Sequence, residues 1–421
     1  MERLIAENGI EIYGYRNSAM HGFFLSLFFK GGSMYEREDE VGITHFLEHV
    51  LVRNVNKLYG MRLYELLDRH GLEFNASTYA EMVQFYLSGA SENFKVAADA
   101  AVRLLDPILL SREEIDSERR RIKSEIREND DKNTMSSFAM GEVFAGTTLK
   151  NSITGTNKSV DKITARRLEN YRKKQFTKDN LFFFLTGNYT DDDLAYLSNI
   201  CACVLCEPSG EKRENIAPVP ENFGKRGARV AVKSGDYTAV RFNFDIDMEK
   251  VPSAVTDLVY DNLFAGYNSP FFIKMSEERG LFYDISGSTE RYRNIATLYF
   301  SFEVRERDIY DAVRCSIDIL RDFKNSLLNE NNCMKAGYTD NAGLLLDDAR
   351  ELNFTFAYDT KIMGLQYSDV DERRRVYESI TPEDIRLGAC EIFKPENLVL
   401  TVKGNKRKIE VERLSSICLE L

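Results

Sequence analysis

The 421-residue chain is long for one compact domain and predicts two. Its 43% hydrophobic and 29% charged residues are the balance of a globular protein with ample core, and eight prolines without a low-complexity tract leave little room for disordered arms. A net charge of −11 argues against nucleic acid as a partner, because phosphate binding needs a basic surface.

The N-terminal stretch MERLIAENGIEIYGYRNS has no apolar run of signal-peptide length, and no later segment approaches a membrane span. Seven cysteines without a secretory context point to reduced thiols in a cytoplasm. GFFLSLFFK reads as a strand. After the polar turn EREDEVG, the segment GITHFLEHVLVRN (42–54) spaces Ile43, Phe46, Leu47, Val50 and Leu51 as a buried helix does. LLDRHGLEFNAS (66–77) predicts a helix end capped by glycine and then a strand. SREEIDSERRRIKSEIREND predicts a long helix, and its basic run, like DERRRVY later, mixes signs as a solvated face does. ITARRLENYRKKQFTKDNLFFFLTGN (163–188) reads as amphipathic helix, turn and apolar strand. Cys201, Cys203 and Cys206 continue an apolar run without a fourth ligand nearby, so buried free thiols are expected there rather than a metal knuckle. A Pro/Gly/charge-rich stretch, 207–227, then predicts a linker.

Beyond the linker the chain repeats itself. ITPEDIRLGACEIFKPENLVLTVKGN (380–405) realigns with 163–188, pairing Ile163-Thr164 with Ile380-Thr381, Phe176 with Phe393 and Gly187-Asn188 with Gly404-Asn405. MSEERGLFYDIS (275–286) matches 66–77, and AVRFNFDID matches GFFLSLFFK. The expected architecture is therefore α+β, as two related domains, 1–206 and 228–421, joined by 207–227. Where the first half has its histidine helix, the second carries VYDNLFAG, with no histidine.

Only four histidines occur in the chain, and two of them flank Glu48 in the first half. On a helix His45 and His49 lie one turn apart on one face, so both imidazoles can reach one ion. Glu48 projects to the same side but not to the same point, where it can hold a water beside the metal and accept its proton. The plainer alternative is two satisfied core histidines. It leaves a buried glutamate between them without a charged partner, which is costly. His21 and His70 match no ligand pattern and are expected at the surface or in turns. Two histidines leave a tetrahedral ion one protein ligand short if water takes the fourth place. Glu118 and Glu125, seven apart and flanked by Ile115, Ile122 and Ile126, share a helix face, and either is a plausible third ligand.

The His-x-x-Glu-His pattern resembles the inverted zinc motif of the inverzincins, the group of pitrilysin, insulin-degrading enzyme and the mitochondrial processing peptidase. The resemblance runs along nearly the whole chain: SERRRIKSEIRE is similar to that family's acidic helix, NSITGTNKSVDKIT and YRKKQFTKDNLFFFLTGN to its next blocks, and SEERGLFYDISGS to its C-terminal signature. It implies two homologous domains, each a mostly antiparallel or mixed sheet packed with helices, together forming half of a clamshell, as in the short bacterial-type members. It also implies one Zn2+ per chain on His45, His49 and Glu125, with Glu48 as general base for hydrolysis of a peptide bond. Glu118 becomes the carboxylate that steadies the ligand helix. Asn75, Ala76 and Ser77 fall on the edge strand to which such enzymes add an extended peptide substrate.

The sequence departs from the family at one place. Active members carry an arginine and a tyrosine seven apart in the C-terminal signature, which help to bind substrate and polarise its carbonyl. Here the tyrosine is Tyr283 but the arginine position holds Ser276, with Arg279 one turn further on. Two functions follow as expectations. One is a zinc endopeptidase, cutting unfolded peptides or removing leader segments, paired with a homologous subunit that supplies the Arg-Tyr pair (a heterodimer, or else a homodimer). The other is a non-catalytic scaffold subunit of a peptidase-like complex.

Overall fold

A computed structural model describes residues 1–129, 134–204, 212–282, 284–328 and 333–421. Among these described residues eleven strands form two sheets. The first holds β1 (Glu2–Ile5), β2 (Glu11–Arg16), β3 (Gly22–Phe29), β4 (Glu73–Thr78), β5 (Val83–Ala90) and β6 (Leu181–Gly187), in the order β1-β2-β6-β3-β5-β4. The second holds β7 (Arg229–Ser234), β8 (Ala239–Asp247), β9 (Ile285–Arg291), β10 (Ile295–Glu303) and β11 (Leu398–Gly404), in the order β7-β11-β8-β10-β9. Both sheets are mixed in the same way: β2 with β6 and β7 with β11 run parallel, and the other neighbours run antiparallel.

The sequence repeat is thus a repeat of structure. Helix Ala165–Gln175 and strand β6 recur as helix Pro382–Ile392 and β11 at one offset of 217 residues (382 − 165 and 398 − 181). Thr164 and Thr381 cap the two helices alike, each accepting a backbone N–H three residues on. Gly71 and Gly280, 209 apart, both take the left-handed conformation (φ +59° and +58°) that ends a helix before an edge strand.

Compactness divides the chain less simply than the repeat does. One unit comprises Met1–Asp130, Asn151–Asn215 and Gly343–Val370; the other comprises Asp131–Lys150, Ile216–Ala342 and Asp371–Leu421. In the first unit β3 alternates strictly: Phe23, Leu25, Leu27 and Phe29 enter the core shared with the histidine helix, and Phe24, Ser26 and Phe28 point to the other face. That other face receives helix Ala349–Ala357 from the second half of the chain. Its Asn353 is fully buried, donates to the carbonyls of Phe24 (3.1 Å) and Phe184 (2.8 Å), and accepts from Ser26 Oγ (2.7 Å). A buried amide with such partners fixes the helix in one register. Covered on both faces, β6 is buried along its whole length, which its run LFFFLTG requires. The second unit has its own core around Phe242, Phe244, Leu258, Phe300 and Ile385.

Two local expectations are corrected. Cys203 is exposed rather than buried, because it caps the end of helix Asp191–Ala202; Cys201 is buried as expected, and Cys206 lies outside the described residues. Arg119, in the basic run of helix Arg112–Asn129, turns inward to donate to the Ile163 carbonyl (2.7 Å) over the ring of Phe46.

Candidate metal centre

Helix Ile43–Leu58 buries Ile43, Phe46, Leu47, Val50 and Leu51, which leaves His45, Glu48 and His49 together on its remaining face. Its start is fixed with unusual care. Gly42 precedes it at φ +89°, and a Cβ there would meet Gly155 Cα at 2.9 Å. No capping side chain comes from Gly42 itself, so Glu36 does the work from outside: its carboxylate accepts the N–H groups of Gly42 (2.8 Å) and Thr44 (2.9 Å). Burial raises the Glu36 carboxyl to about 7 even with those donors. Thr44 Oγ1 and Tyr171 Oη, 2.8 Å apart and both buried, hold the same turn from its other side.

Helix Arg112–Asn129 packs beside it on Ile115 and Ile122 and brings two carboxylates. Glu125 Oε1 lies 3.5 Å from His45 Nε2, and Glu125 Oε2 lies 3.5 Å from His49 Nε2. One ligand atom from each of the three residues falls within 4.8 Å of the others. Glu118 stands one step back, with Oε2 3.5 Å from His49 Nδ1 and Oε1 accepting from Arg53 Nη1 at 2.6 Å. Of the two carboxylates that composition and spacing leave open, Glu125 is therefore the one that touches both imidazoles.

The donor set fits zinc. Two ligands bonded at about 2.0–2.1 Å to a tetrahedral ion stand roughly 3.4 Å apart, against 3.5 Å from a Glu125 oxygen to each imidazole and at most 4.8 Å among the three ligand atoms. Burial, and then the neighbouring His49, pull the His45 imidazole down to about 3, so it is neutral and free to coordinate at neutral pH. Burial alone would raise the Glu118 carboxyl; the hydrogen bond to His49 and the Arg53 guanidinium outweigh it and hold it below its usual range. A carboxylate that stays ionised against the back of a ligand histidine orients the ring and increases its basicity.

Glu48 points to the same space without entering the triad. Burial raises its carboxyl, while a hydrogen bond donated by Thr78 Oγ1 and the nearby His49 favour the ionised form. Thr78 ends β4 and shares the helix-facing side of that strand with Phe74 and Ala76. Asn75 and Ser77 take the opposite face, paired with Tyr86 and Gln84 of β5. Since β4 is the edge of its sheet, its other side is free to pair with an added strand. Of the signature residues in the second half, Ser276 lies in the π-helical segment Phe272–Glu277 and Arg279 is exposed; Tyr283 lies outside the described residues.

Thr78, Arg53 and Glu36 are the site's supporting residues that sequence reasoning missed. Arg53 had a signal, since it follows His49 by one turn. Thr78 had another: alternation puts it on the helix-facing side two residues beyond Ala76. We expect Thr78→Val, which keeps volume but removes the donor, to raise the pKa of Glu48. The acid limb of any activity that needs the carboxylate would then move to higher pH, as a pH profile of kcat/KM would show.

Residues 17–157 match the insulinase family, peptidase family M16, and residues 162–336 match the peptidase M16 inactive domain. The chain belongs to the M16 peptidase family. Among M16-like relatives, an uncharacterised zinc protease of Streptomyces coelicolor is 24% identical over 374 residues, covering 86% of this chain and 80% of that one. A second, from Rickettsia felis, is 24% identical over 403 residues, covering 92% and 93%. The fold is shared with a Pseudomonas fluorescens protein described as a peptidase M16 inactive domain (TM-score 0.82, 15% identity, 96% of this chain and 98% of that). It is shared too with a Helicobacter pylori protease (TM-score 0.81, 16% identity, 96% and 99%). A periplasmic protease of Escherichia coli matches 99% of this chain with half of its own length, at TM-score 0.79 and 16% identity. Among the described residues no helix is long and apolar enough to cross a membrane.

Proposed function

We propose that the protein is a zinc-dependent endopeptidase acting on extended, unfolded peptides, including the removal of leader segments. The observation that carries this reading is the convergence of His45, His49 and Glu125 beside a part-buried Glu48 that lies outside the ligand set. Zinc, when bound, supplies Lewis acidity and brings the pKa of its water toward neutrality. The remaining chemistry belongs to the chain. Thr78 holds Glu48 in place; Glu48 takes the proton of the attacking water and returns it to the leaving amine. Arg53 and Glu118 keep His49 oriented. The substrate lies along Asn75, Ala76 and Ser77 as an added strand, which recognises backbone first and side chains second.

In this reading the peptide is the partner of the first unit, and a homologous subunit supplies the Arg-Tyr pair that Ser276 leaves incomplete, in a heterodimer or a homodimer. In this reading nucleic acid is not a partner, and the protein works in a cytoplasm, which seven cysteines without a secretory context favour. A second reading, a non-catalytic core subunit, has Ser276 in its favour. One experiment separates them: metal analysis of the purified chain, with cleavage of an unfolded peptide before and after chelation. The peptidase binds one zinc per chain and loses its cleavage with the metal; a scaffold subunit binds little and cuts nothing.

A further inference from the structure

An edge strand that accepts a peptide presents it to two surfaces, because alternate substrate side chains point to opposite faces of the sheet. One face of β4 is the metal side, marked by Phe74, Ala76 and Thr78. The other carries Glu73, Asn75 and Ser77, and helix Ala349–Ala357 lies on that side of the sheet, held by Asn353. Arg350, Phe354 and Tyr358 follow one another at four-residue intervals and so form a stripe on this helix and the turn continuing it.

The helix packs over β3 and β6, and long side chains of its stripe reach the two ends of β4. At the strand's start, Arg350 lies 3.6 Å from Glu73 and stacks over the ring of Tyr86 (4.6 Å). Just past its end, Tyr79 meets Phe354 with ring centroids 5.9 Å apart, and Phe354 stacks on Tyr358 (5.6 Å, 10°). Tyr79, Phe354 and Tyr358 are all part-exposed. Toward Glu73 the same side opens into a cavity of about 500 Å³ lined by Asn17, His21, Glu73, Ser88, Asp347 and Arg350. This aromatic shelf adjoins the strand that holds Thr78 against Glu48.

We infer that Tyr79, Phe354 and Tyr358 form the subsite for substrate side chains that point away from the metal, and that it selects large apolar or aromatic residues there. This rests on the peptidase reading and on strand addition at β4. The specificity wall of the first unit is then supplied by a helix from the second half of the chain.

The test uses the full zinc-loaded chain and fluorescein-labelled peptides of an Ala/Ser/Gly background, in which one phenylalanine is moved through successive positions. Binding is read by anisotropy, and cleavage in parallel. Affinity should peak at alternate positions, and Phe354→Ala should cut the ratio of phenylalanine-peptide to background-peptide affinity at those positions by about tenfold, the scale of a lost apolar pocket. Phe354→Leu should restore much of that ratio, which a merely misfolded variant would not do. An unchanged ratio in Phe354→Ala, with peptides still bound and cut, overturns the shelf and leaves the peptidase reading standing. If the wild-type chain, alone and together with its homologous subunit, neither binds nor cuts any peptide of the set, the peptidase reading fails and takes the shelf with it.

Discussion

Glu48→Gln should abolish cleavage while leaving the zinc in place. The substitution keeps the shape of the side chain and an oxygen to accept from Thr78, so the helix and its two imidazoles have no reason to move. What it removes is the capacity to take a proton. A positioned general base contributes roughly 10²- to 10⁴-fold to a rate, and kcat is expected to fall by that order while peptide affinity stays within a few-fold. Metal analysis gives the control, since zinc should remain at one per chain. Loss of zinc would make Glu48 a ligand; unchanged kcat would put the base elsewhere.

The legibility of this site in the sequence follows the range of the interactions that build it. His45, Glu48 and His49 sit within one helical turn, and the apolar period around them shows which face is buried, so local spacing suffices. The duplicated architecture was legible for the same reason: a helix, a turn and a strand recur at a constant offset, and each is specified by its own period and cap. Glu125 was half legible, because its helix could be read but not the rotation that chooses it over Glu118. That choice depends on packing at Ile115 and Ile122 against a helix some seventy residues earlier.

Other features have no local signature. Glu36 caps a helix from six and eight residues away, across a polar turn that reads as loop. Asn353 looks like an unremarkable polar residue in an amphipathic helix until the carbonyls of β3 and β6 appear around it. Its bonds to β3 and β6 hold Gly343–Val370 in the first compact unit, although the sequence repeat divides the chain near its middle. Long-range hydrogen bonds of this kind are paired in space, and a period of 2 or 3.6 carries no trace of them.

Glu118 and Glu125 should separate cleanly when each is replaced by alanine, because one faces both imidazoles and the other reaches His49 alone. Glu125 is placed to bond the ion itself, facing both Nε2 atoms at 3.5 Å. Without it two imidazoles remain, too few to hold zinc against a chelator, and activity should be lost and not recovered by adding metal. Glu118 touches no ligand position; it supports His49 through Nδ1 and neutralises Arg53. Its removal leaves three ligands but lets the His49 ring turn and leaves a guanidinium beside it unpaired. The expected result is a 10- to 100-fold weaker zinc affinity, measured by competition with a chromophoric chelator, with activity regained at high zinc. The reverse pattern, rescue of Glu125→Ala and none of Glu118→Ala, would exchange the two roles. That outcome would require the acidic helix to rotate by a fraction of a turn, and the buried Ile115 and Ile122 are what oppose such a rotation.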